Sequence, residues 1–592
     1  MDKSLVFRGY HMKVLLVSLN AKFVHTSLAI RYLQAYCRQE FPEIRIREFT
    51  INEDPGEVMA EIYREEPDIL GFSCYIWNIE ATLRLARNLK KVRPNLIIVL
   101  GGPEVTFDSR ALLSQNPYID VVVRGEGEVT FLELLRGLAS GGGQTVRGTT
   151  WRCGERVIHN EDRELIADLG QVPFPYATGV DELAGRIIYY ESSRGCPFNC
   201  SYCISSTVRG VRWFPLERVK KELRFFVEQG VREVKFVDRT FNADPRRSRE
   251  IMKTLVENRG NTTFHLEIVA DRLDDETLEF LRTVPRGLFK LEIGVQSTNE
   301  RALRAVSRSM DWQRLQHAVM TIQQQHNLHQ HLDLIAGLPE EDYASFGRSF
   351  NMVYNLAPNY LQLGSLKMLK GSRVREEAAK HGYRFTDEPP YEVLENRYLG
   401  FDEMRRLKRI EDLLEKFYNP GDFRHSLRYL VQTVYRGEPF AFYEDLASFW
   451  EEERLHRVQH RKEHLYSLLM RFASQQWPEF AGAVNELLKF DYLLNYKSHA
   501  LPAGLRRVEI PRQRERFDKF LAREDSCQLY WADLPEKALG KLKRQLHLEV
   551  FADDVLFLSG MRPEKVTRSY YPLLFRYLPG GCKAIRWDEV EL

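Results

Sequence analysis

Ser193-Arg194-Gly195-Cys196-Pro197-Phe198-Asn199-Cys200-Ser201-Tyr202-Cys203 is the stretch on which the reading of the chain turns. Three cysteines fall within eight residues at the spacing C-x3-C-x2-C. Iron–sulfur clusters take soft thiolate ligands. Three thiolates on one short loop leave one iron of a four-iron cluster with an open position. A closed zinc site takes a fourth Cys or His at short spacing, and the next His downstream is His265. Elsewhere cysteine is scattered singly along the chain, so three incidental thiols are the weaker reading here.

Ile187-Ile188-Tyr189-Tyr190-Glu191 reads as a short strand, and the cysteine loop follows it. Here the chain resembles the radical S-adenosylmethionine (SAM) superfamily, whose signature is C-x3-C-x-aromatic-C after the first barrel strand. Tyr202 fills the aromatic position. The resemblance implies that Cys196, Cys200 and Cys203 bind a [4Fe-4S] cluster. It further implies that SAM chelates the fourth iron and is split to a 5′-deoxyadenosyl radical. The motif names a chemistry and not a substrate.

Downstream, strand and helix alternate. Strands are expected at Val234–Asp238, Thr263–Val269, Lys290–Val295, His329–Ala336 and Tyr360–Lys367, with helices between them. With Ile187–Glu191 this makes six β/α units, a partial TIM-type barrel over residues 186–375. Active sites of such barrels lie at the carboxyl ends of the strands, where Asp238, Glu267, Gln296 and Lys367 fall. The resemblance extends to Phe236-Val237-Asp238-Arg239-Thr240-Phe241-Asn242, to Gly294-Val295-Gln296-Ser297 and to Gly337-Leu338-Pro339. It implies SAM contacts from Tyr202, Asp238, Glu267, Gln296 and Ser297, with Glu267 at the ribose. Arg272 or Arg308 could pair with the methionine carboxylate, since a guanidinium matches a planar anion; a solvated helix-face charge is an equal reading for each. His329 and His331 share a strand face and, with His326, could suggest a metal site; polar core or surface residues are the simpler reading, with no acidic or Cys partner placed with them.

Upstream, strands at Met12–Val17, Arg45–Phe49, Ile69–Ser73, Leu96–Leu100 and Ile119–Val123 alternate with helices. This is a doubly wound parallel sheet over residues 11–140, which binds ligands beyond the carboxyl ends of its strands. It lacks G-x-G-x-x-G after the first strand and lacks a P-loop. Ser73-Cys74-Tyr75-Ile76-Trp77-Asn78, Gly101-Gly102-Pro103-Glu104 and Arg124-Gly125-Glu126-Gly127-Glu128 resemble the cobalamin-binding domain that precedes many radical SAM cores. The resemblance implies cobalamin contacts from Asn20, His25, Thr26, Ser73, Tyr75, Trp77, Asn78, Gly101, Gly102, Glu104, Gly125 and Glu126. His25 stands outside the D-x-H-x-x-G pattern of the mutases, so a cobalt without a lower His ligand is expected, with His25 lining the pocket.

Residues 141–185 are expected to be a linker, with a hairpin at Thr149–Ile158 and a rigid Pro173-Phe174-Pro175-Tyr176. Residues 376–592 read as a C-terminal extension. Helical periodicity runs over Glu392–Tyr418 and Phe440–Leu488, and a small mixed α+β end follows near Leu548–Leu558. Basic residues outnumber acidic ones over Arg506–Arg544, most simply as a solvated face.

The 592 residues carry 44% hydrophobic and 28% charged side chains, as folded proteins do. A formal net charge of +2 predicts no strong long-range pull on nucleic acid or anionic membrane. No apolar run spans a bilayer and no signal peptide is evident. Eight cysteines do not make a disulfide framework in a chain this long. A cytoplasmic setting is expected.

The resemblance implies a cobalamin-dependent radical SAM enzyme, foremost a methyltransferase acting on an unactivated carbon through the 5′-deoxyadenosyl radical and methylcobalamin. An electron donor such as flavodoxin or ferredoxin is implied; the substrate could be a small molecule, lipid, peptide or tRNA. Cyclisation, rearrangement or redox chemistry is the first alternative. A methylthiotransferase is the second; it needs three further cysteines in the first domain, and Cys37, Cys74 and Cys153 match poorly. A non-catalytic cofactor-binding regulator is the third.

Overall fold

The computed structural model describes residues 12–498, 500–513, 515, 518–519, 545–578 and 581–586. Two compact units divide the chain: residues 1–346 with 364–404, and residues 347–363 with 405–592.

The first unit begins with β1 (Val14–Asn20), β2 (Ile44–Thr50), β3 (Ile69–Ser73), β4 (Ile97–Gly101), β5 (Val121–Val123), β6 (Thr149–Cys153) and β7 (Arg156–His159). They form one sheet in the order β2-β1-β3-β4-β5-β6-β7. Every residue of β1 is buried, as a strand covered on both faces requires. Alternate residues serve opposite faces: Leu15, Val17 and Leu19 pack with Phe72 and Leu100 on one side, Val14 and Leu16 with Val99 and Phe131 on the other. β1 pairs in parallel with both β2 and β3. The strand order therefore reverses there, and the crevice beyond Asn20 and Ser73 is the expected ligand position.

The hairpin expected within the linker is instead the edge of this sheet. β6 pairs antiparallel with β5, and β7 with β6. Trp151 is buried against the same core as Val123, so burying the apolar side of the hairpin fixes it there.

The barrel comprises β8 (Ile187–Tyr190), β11 (Glu233–Phe236), β12 (Thr263–Ile268), β13 (Phe289–Gln296), β14 (His329–Ala336) and β15 (Tyr360–Ser365), after the ribbon of β9 (Ser193–Cys196) and β10 (Gly210–Trp213). The order is β15-β14-β13-β12-β11-β8, with β8 through β14 paired in parallel. This is the expected six-stranded partial barrel. Along β12 and β13 burial alternates strictly: apolar residues face the helices, while His265, Glu267, Glu292 and Gln296 face the lumen.

The barrel and the first sheet meet directly. Ile187 N donates to Val24 O at 2.8 Å, Thr26 Oγ1 to Ile187 O at 2.8 Å, and Arg186 Nη1 to Glu48 Oε2 at 2.9 Å. Residues 376–404, expected to open the C-terminal extension, also belong to this unit. They include β16 (Arg384–Phe385) and β17 (Val393–Glu395), so the helical pattern expected from Glu392 begins only at Phe401. Tyr391 donates to Glu104 and Tyr383 Oη to Gly337 O at 2.8 Å, which anchors the segment.

In the second unit the helices Pro439–Glu452, Lys462–Gln476 and Ala481–Asn495 bury Phe442, Tyr443, Phe449 and Trp450 as core. The small mixed end is an antiparallel sheet of β18 (Leu546–Phe551), β19 (Tyr571–Leu578) and β20 (Gly581–Arg586). Most of the basic run Arg506–Arg544 lies outside the described residues. Among the described residues no helix is long and apolar enough to cross a membrane.

Candidate active site

A cavity of about 710 Å³ opens at the switch between β1 and β3. Asn20, His25, Thr26, Ser73, Tyr75, Trp77, Gly101, Gly102, Gly125 and Glu126, all expected from sequence, line it. Ser27 and Ser73 are buried in its wall, and their hydroxyls have no hydrogen-bond partner among the described residues. A buried unpaired hydroxyl costs about 1–3 kcal/mol, so these groups await a polar ligand. Gly102 has φ +113°, and a Cβ there would meet Cys74 O at 2.6 Å; the bare backbone leaves this edge of the cavity open. Tyr75 and Trp77 stack at 4.4 Å, presenting an aromatic face. A corrin with an amide-rich periphery and a nucleotide tail fits this wall of orphan hydroxyls, glycine backbone and rings.

Ser73→Ala is accordingly expected to act in two directions. It removes a buried unsatisfied donor, so the cofactor-free protein gains about 1 kcal/mol in urea unfolding. Cobalamin binding weakens, as spectroscopic titration reads.

Two residues expected in this site do other work. Asn78 is 1% exposed; its amide donates to Leu19 O and Ser73 O at 3.0 Å and accepts from Tyr75 N at 2.8 Å. It locks the ends of β1 and β3 rather than lining the cavity. Glu104 is buried between Tyr391 and Lys370, whose Nζ lies at 3.1 Å. Both side chains are spent on protein groups, which sequence spacing does not reveal.

His25 lines the cavity, and its Nδ1 lies 2.8 Å from Tyr189 Oη. Burial, then Lys22, Lys235 and Arg186, hold its pKa below the usual value, so the ring is neutral near pH 7.

The second cavity, about 170 Å³, lies at the carboxyl end of the barrel and is lined by Cys196, Cys200, Cys203, Tyr202, Gln296 and Arg308 among others. Gly195 has φ +97°, and a Cβ would meet Gly210 O at 2.1 Å; the tight β9–β10 ribbon that presents Cys196 needs glycine there. Cys196 Sγ lies 3.6 Å from Thr240 Oγ1 and Arg308 Nη1 3.8 Å from Cys200 Sγ; the Phe198 amide also bonds Cys196 and the Tyr202 hydroxyl Cys200. Arg308 Nε is buried with no partner among the described residues. Three convergent soft ligands beside an unspent guanidinium donor fit a cluster carrying a ligand with a carboxylate.

Asp238, Ser297 and Arg272 line neither cavity. Asp238 is fully buried; it accepts from Ser192 N and Oγ and from Ser193 Oγ at 2.5–2.8 Å, so it braces the turn into the cysteine ribbon. Ser297 donates to Glu341 at 2.5 Å. Arg272 stacks over Phe198 at 5.0 Å, on the cysteine loop itself. Of the two candidate arginines the structure brings Arg308 to the site. Lys367 borders a separate cavity with Trp77 and Pro390.

Arg239 and Glu267 line both the 710 Å³ cavity and the thiol cavity. Burial in the lumen, then repulsion from Glu292, lifts the Glu267 carboxyl to about 7. Below it the lumen is ion-paired: Glu292 lies 2.8 Å from Lys235 Nζ and 2.9 Å from His265 Nε2. His331 lies 2.9 Å from Asp333, an acidic partner that sequence reading missed although strand alternation puts the two on one face.

The proton on Glu267 makes stability pH-dependent. The folded state holds it more tightly than the unfolded chain, so the contribution is present below the usual carboxylate range and is lost as pH rises through about 7. At about 1.4 kcal/mol per pH unit, the window from 4.5 to about 7 is worth about 3 kcal/mol. In cofactor-free protein, Glu267→Gln is expected to match wild type near the acid end and to exceed its stability by up to that amount above neutrality. Urea unfolding at both ends reads the difference.

Tyr189, Glu191, Arg194, Lys235, Val237 and Arg239 complete the larger cavity from the barrel side. Sequence reading did not assign these to the cobalamin site. The alternation in Ile187–Glu191, which puts Tyr189 and Glu191 on one face, was the available signal.

Three family models match the chain: a B12 binding domain over residues 14–135, the radical SAM superfamily over 190–353, and a protein of unknown function, DUF4080, over 379–575. Among curated proteins, the chain is 31% identical over 303 residues to a 2-(S-pantetheinyl)-carbapenam-3-carboxylate methyltransferase of Streptantibioticus cattleyicolor, covering 48% of this chain and 44% of that protein. It is 30% identical over 373 residues to the cobalamin-dependent radical SAM methyltransferase TokK of Streptomyces tokunonensis, covering 58% and 53%. The chain thus spans about half the length of these relatives. Among solved structures, the cobalamin-dependent SAM radical enzyme OxsB with aqua-cobalamin bound superposes with a TM-score of 0.58 at 15% identity, over 81% of this chain and 80% of that one. That likeness is one of fold.

Proposed function

We propose that this chain, which joins a B12-binding domain to a radical SAM domain, is a cobalamin-dependent radical SAM methyltransferase. One observation carries the reading: Arg239 and Glu267 belong to the walls of both cavities, so a substrate carbon held beside them faces both cofactor positions. When bound, the cluster supplies the electron that cleaves SAM and the corrin supplies the methyl group. The chain's own residues hold and orient. Arg308 offers its Nε to a carboxylate while its other nitrogens engage Cys200 Sγ and Gly294 O. Glu267 keeps a proton near neutrality and so can donate as well as accept. Holding reactants in one protein-walled space turns an encounter between three molecules into a local step. An electron donor of the flavodoxin or ferredoxin class completes the cycle.

The methylthiotransferase alternative loses ground on burial. Cys37 and Cys74 are both 0% exposed and sit in cores on opposite faces of the first sheet, so they cannot share a cluster.

The test is anaerobic turnover of cluster- and cobalamin-loaded protein with methyl-labelled SAM and a metabolite extract. Labelled methyl in a product, formed together with 5′-deoxyadenosine, is expected. Formation of 5′-deoxyadenosine with the label never reaching a product would overturn methyl transfer in favour of cyclisation or redox chemistry.

A further inference from the structure

Two motifs that read as belonging to separate sites touch in the folded chain. Arg194, two residues before Cys196, donates Nε to Glu191 at 2.8 Å and Nη2 to Glu128 at 2.5 Å, and its Nη1 lies 3.4 Å from Glu126. Across the ribbon Arg194 stands opposite Arg212. Arg212 grips Glu126 with both terminal nitrogens, at 2.6 and 3.0 Å. Glu126 also accepts from Ile166 N at 2.8 Å. Glu126 lines the cavity, but its carboxylate is spent on the cysteine ribbon, whereas the sequence assigned it to the cofactor.

We infer that Glu126 and Glu128 are positioning residues that transmit occupancy of the cobalamin cavity to the cysteine ribbon through Arg194 and Arg212. Four facts support this. The side chains are largely buried, Arg194 at 12% exposed and Glu128 at 6%, so the pairs are shielded from screening. Bidentate arginine–carboxylate geometry fixes orientation as well as distance. Glu126, Glu128, Glu191 and Arg194 all border the space a corrin would fill. Arg194 is joined to the ligand Cys196 by the single residue Gly195, whose close approach to Gly210 O makes the ribbon tight. Displacement of the glutamates therefore moves the ribbon rather than being absorbed by slack.

This rests on the cobalamin reading above, and it predicts a reciprocal coupling. Cobalamin raises SAM affinity at the reconstituted cluster by some factor, and SAM raises cobalamin affinity by the same factor. The measurement is equilibrium binding of each ligand with and without the other, on full-length, anaerobically reconstituted protein. A wild-type factor on the order of 5-fold or more is expected. Glu128→Gln is expected to bring it toward 1; the factor is a ratio of affinities within one variant, so it is read whatever the variant does to cobalamin affinity alone. Glu126→Gln serves if Glu128→Gln does not fold, and Arg212→Lys, which keeps the charge but loses the two-nitrogen grip on Glu126, is expected to lower the coupling. Undiminished coupling in both glutamine variants, or a wild-type factor of 1, would overturn the inference and leave the functional reading standing. A wild-type protein that binds no cobalamin would overturn both.

Discussion

Alanine at Cys196, Cys200 or Cys203 is expected to reduce 5′-deoxyadenosine formation to background while cobalamin binding persists. The cavity at these thiols holds no other cysteine, so removing one leaves a cluster two protein ligands and strips the geometry that reserves one iron for SAM. Protein stability is not the cause of the loss. Sulfur is a weak acceptor, and the thiols' partners are the Phe198 amide, Tyr202, Thr240 at 3.6 Å and Arg308 at 3.8 Å, so the cofactor-free variants are expected to unfold near wild type. Among the residues lining the cobalamin cavity only Arg194 shares an element with a cluster cysteine, on β9 with Cys196, which is why its occupancy survives. Iron analysis, 5′-deoxyadenosine assay and cobalamin absorbance on one preparation separate the three effects. Sustained SAM cleavage in any of the three variants would remove the basis of the functional assignment.

Gly102→Ala is expected to have the second largest effect, on the other cofactor. The new Cβ would lie 2.6 Å from Cys74 O and 3.0 Å from Cys74 N. Both are backbone atoms, and Cys74 N itself donates to Gly101 O at 2.7 Å, so the loop cannot give way locally. The positive φ of 113° adds strain of about 1–3 kcal/mol for a non-glycine residue. The rim of the cavity must shift, and cobalamin binding is expected to be lost. Gly125→Ala is the control. Its φ is also positive, at 71°, but a Cβ there meets nothing within 4 Å. It pays only the left-handed backbone cost of about 1–2 kcal/mol with no clash against the protein, and should weaken binding less than Gly102→Ala. Equal cobalamin affinity in Gly102→Ala and wild type would show that this edge of the cavity does not contact the cofactor.

The two variants together separate the cofactor sites. Loss of SAM cleavage with cobalamin retained, against loss of cobalamin with the thiol cavity intact, is the outcome expected of two cavities that share only Arg239 and Glu267 among their lining residues.

The sequence by itself determined the local features. The periodicity of apolar residues marked the strands of both sheets, because burial on both faces or on one leaves a different pattern in the chain. The spacing of Cys196, Cys200 and Cys203 placed three thiols on one short loop, and they line one cavity. The resemblance at Gly101-Gly102 and Gly125 pointed to the cavity that these glycines line, since glycine lets backbone approach a large ligand. Tertiary structure alone decided where polar side chains spend their hydrogen bonds. Asp238, Asn78, Glu104 and Glu126 all carry residue types suited to a cofactor, yet their oxygens and amides are taken by Ser192, Leu19, Tyr391 and Arg212. Arg308 and Arg272 were equal candidates until folding placed one against Cys200 and the other over Phe198. Sites of this kind join groups separated by up to hundreds of residues, and a polar atom's partner depends on three-dimensional proximity that no local pattern encodes.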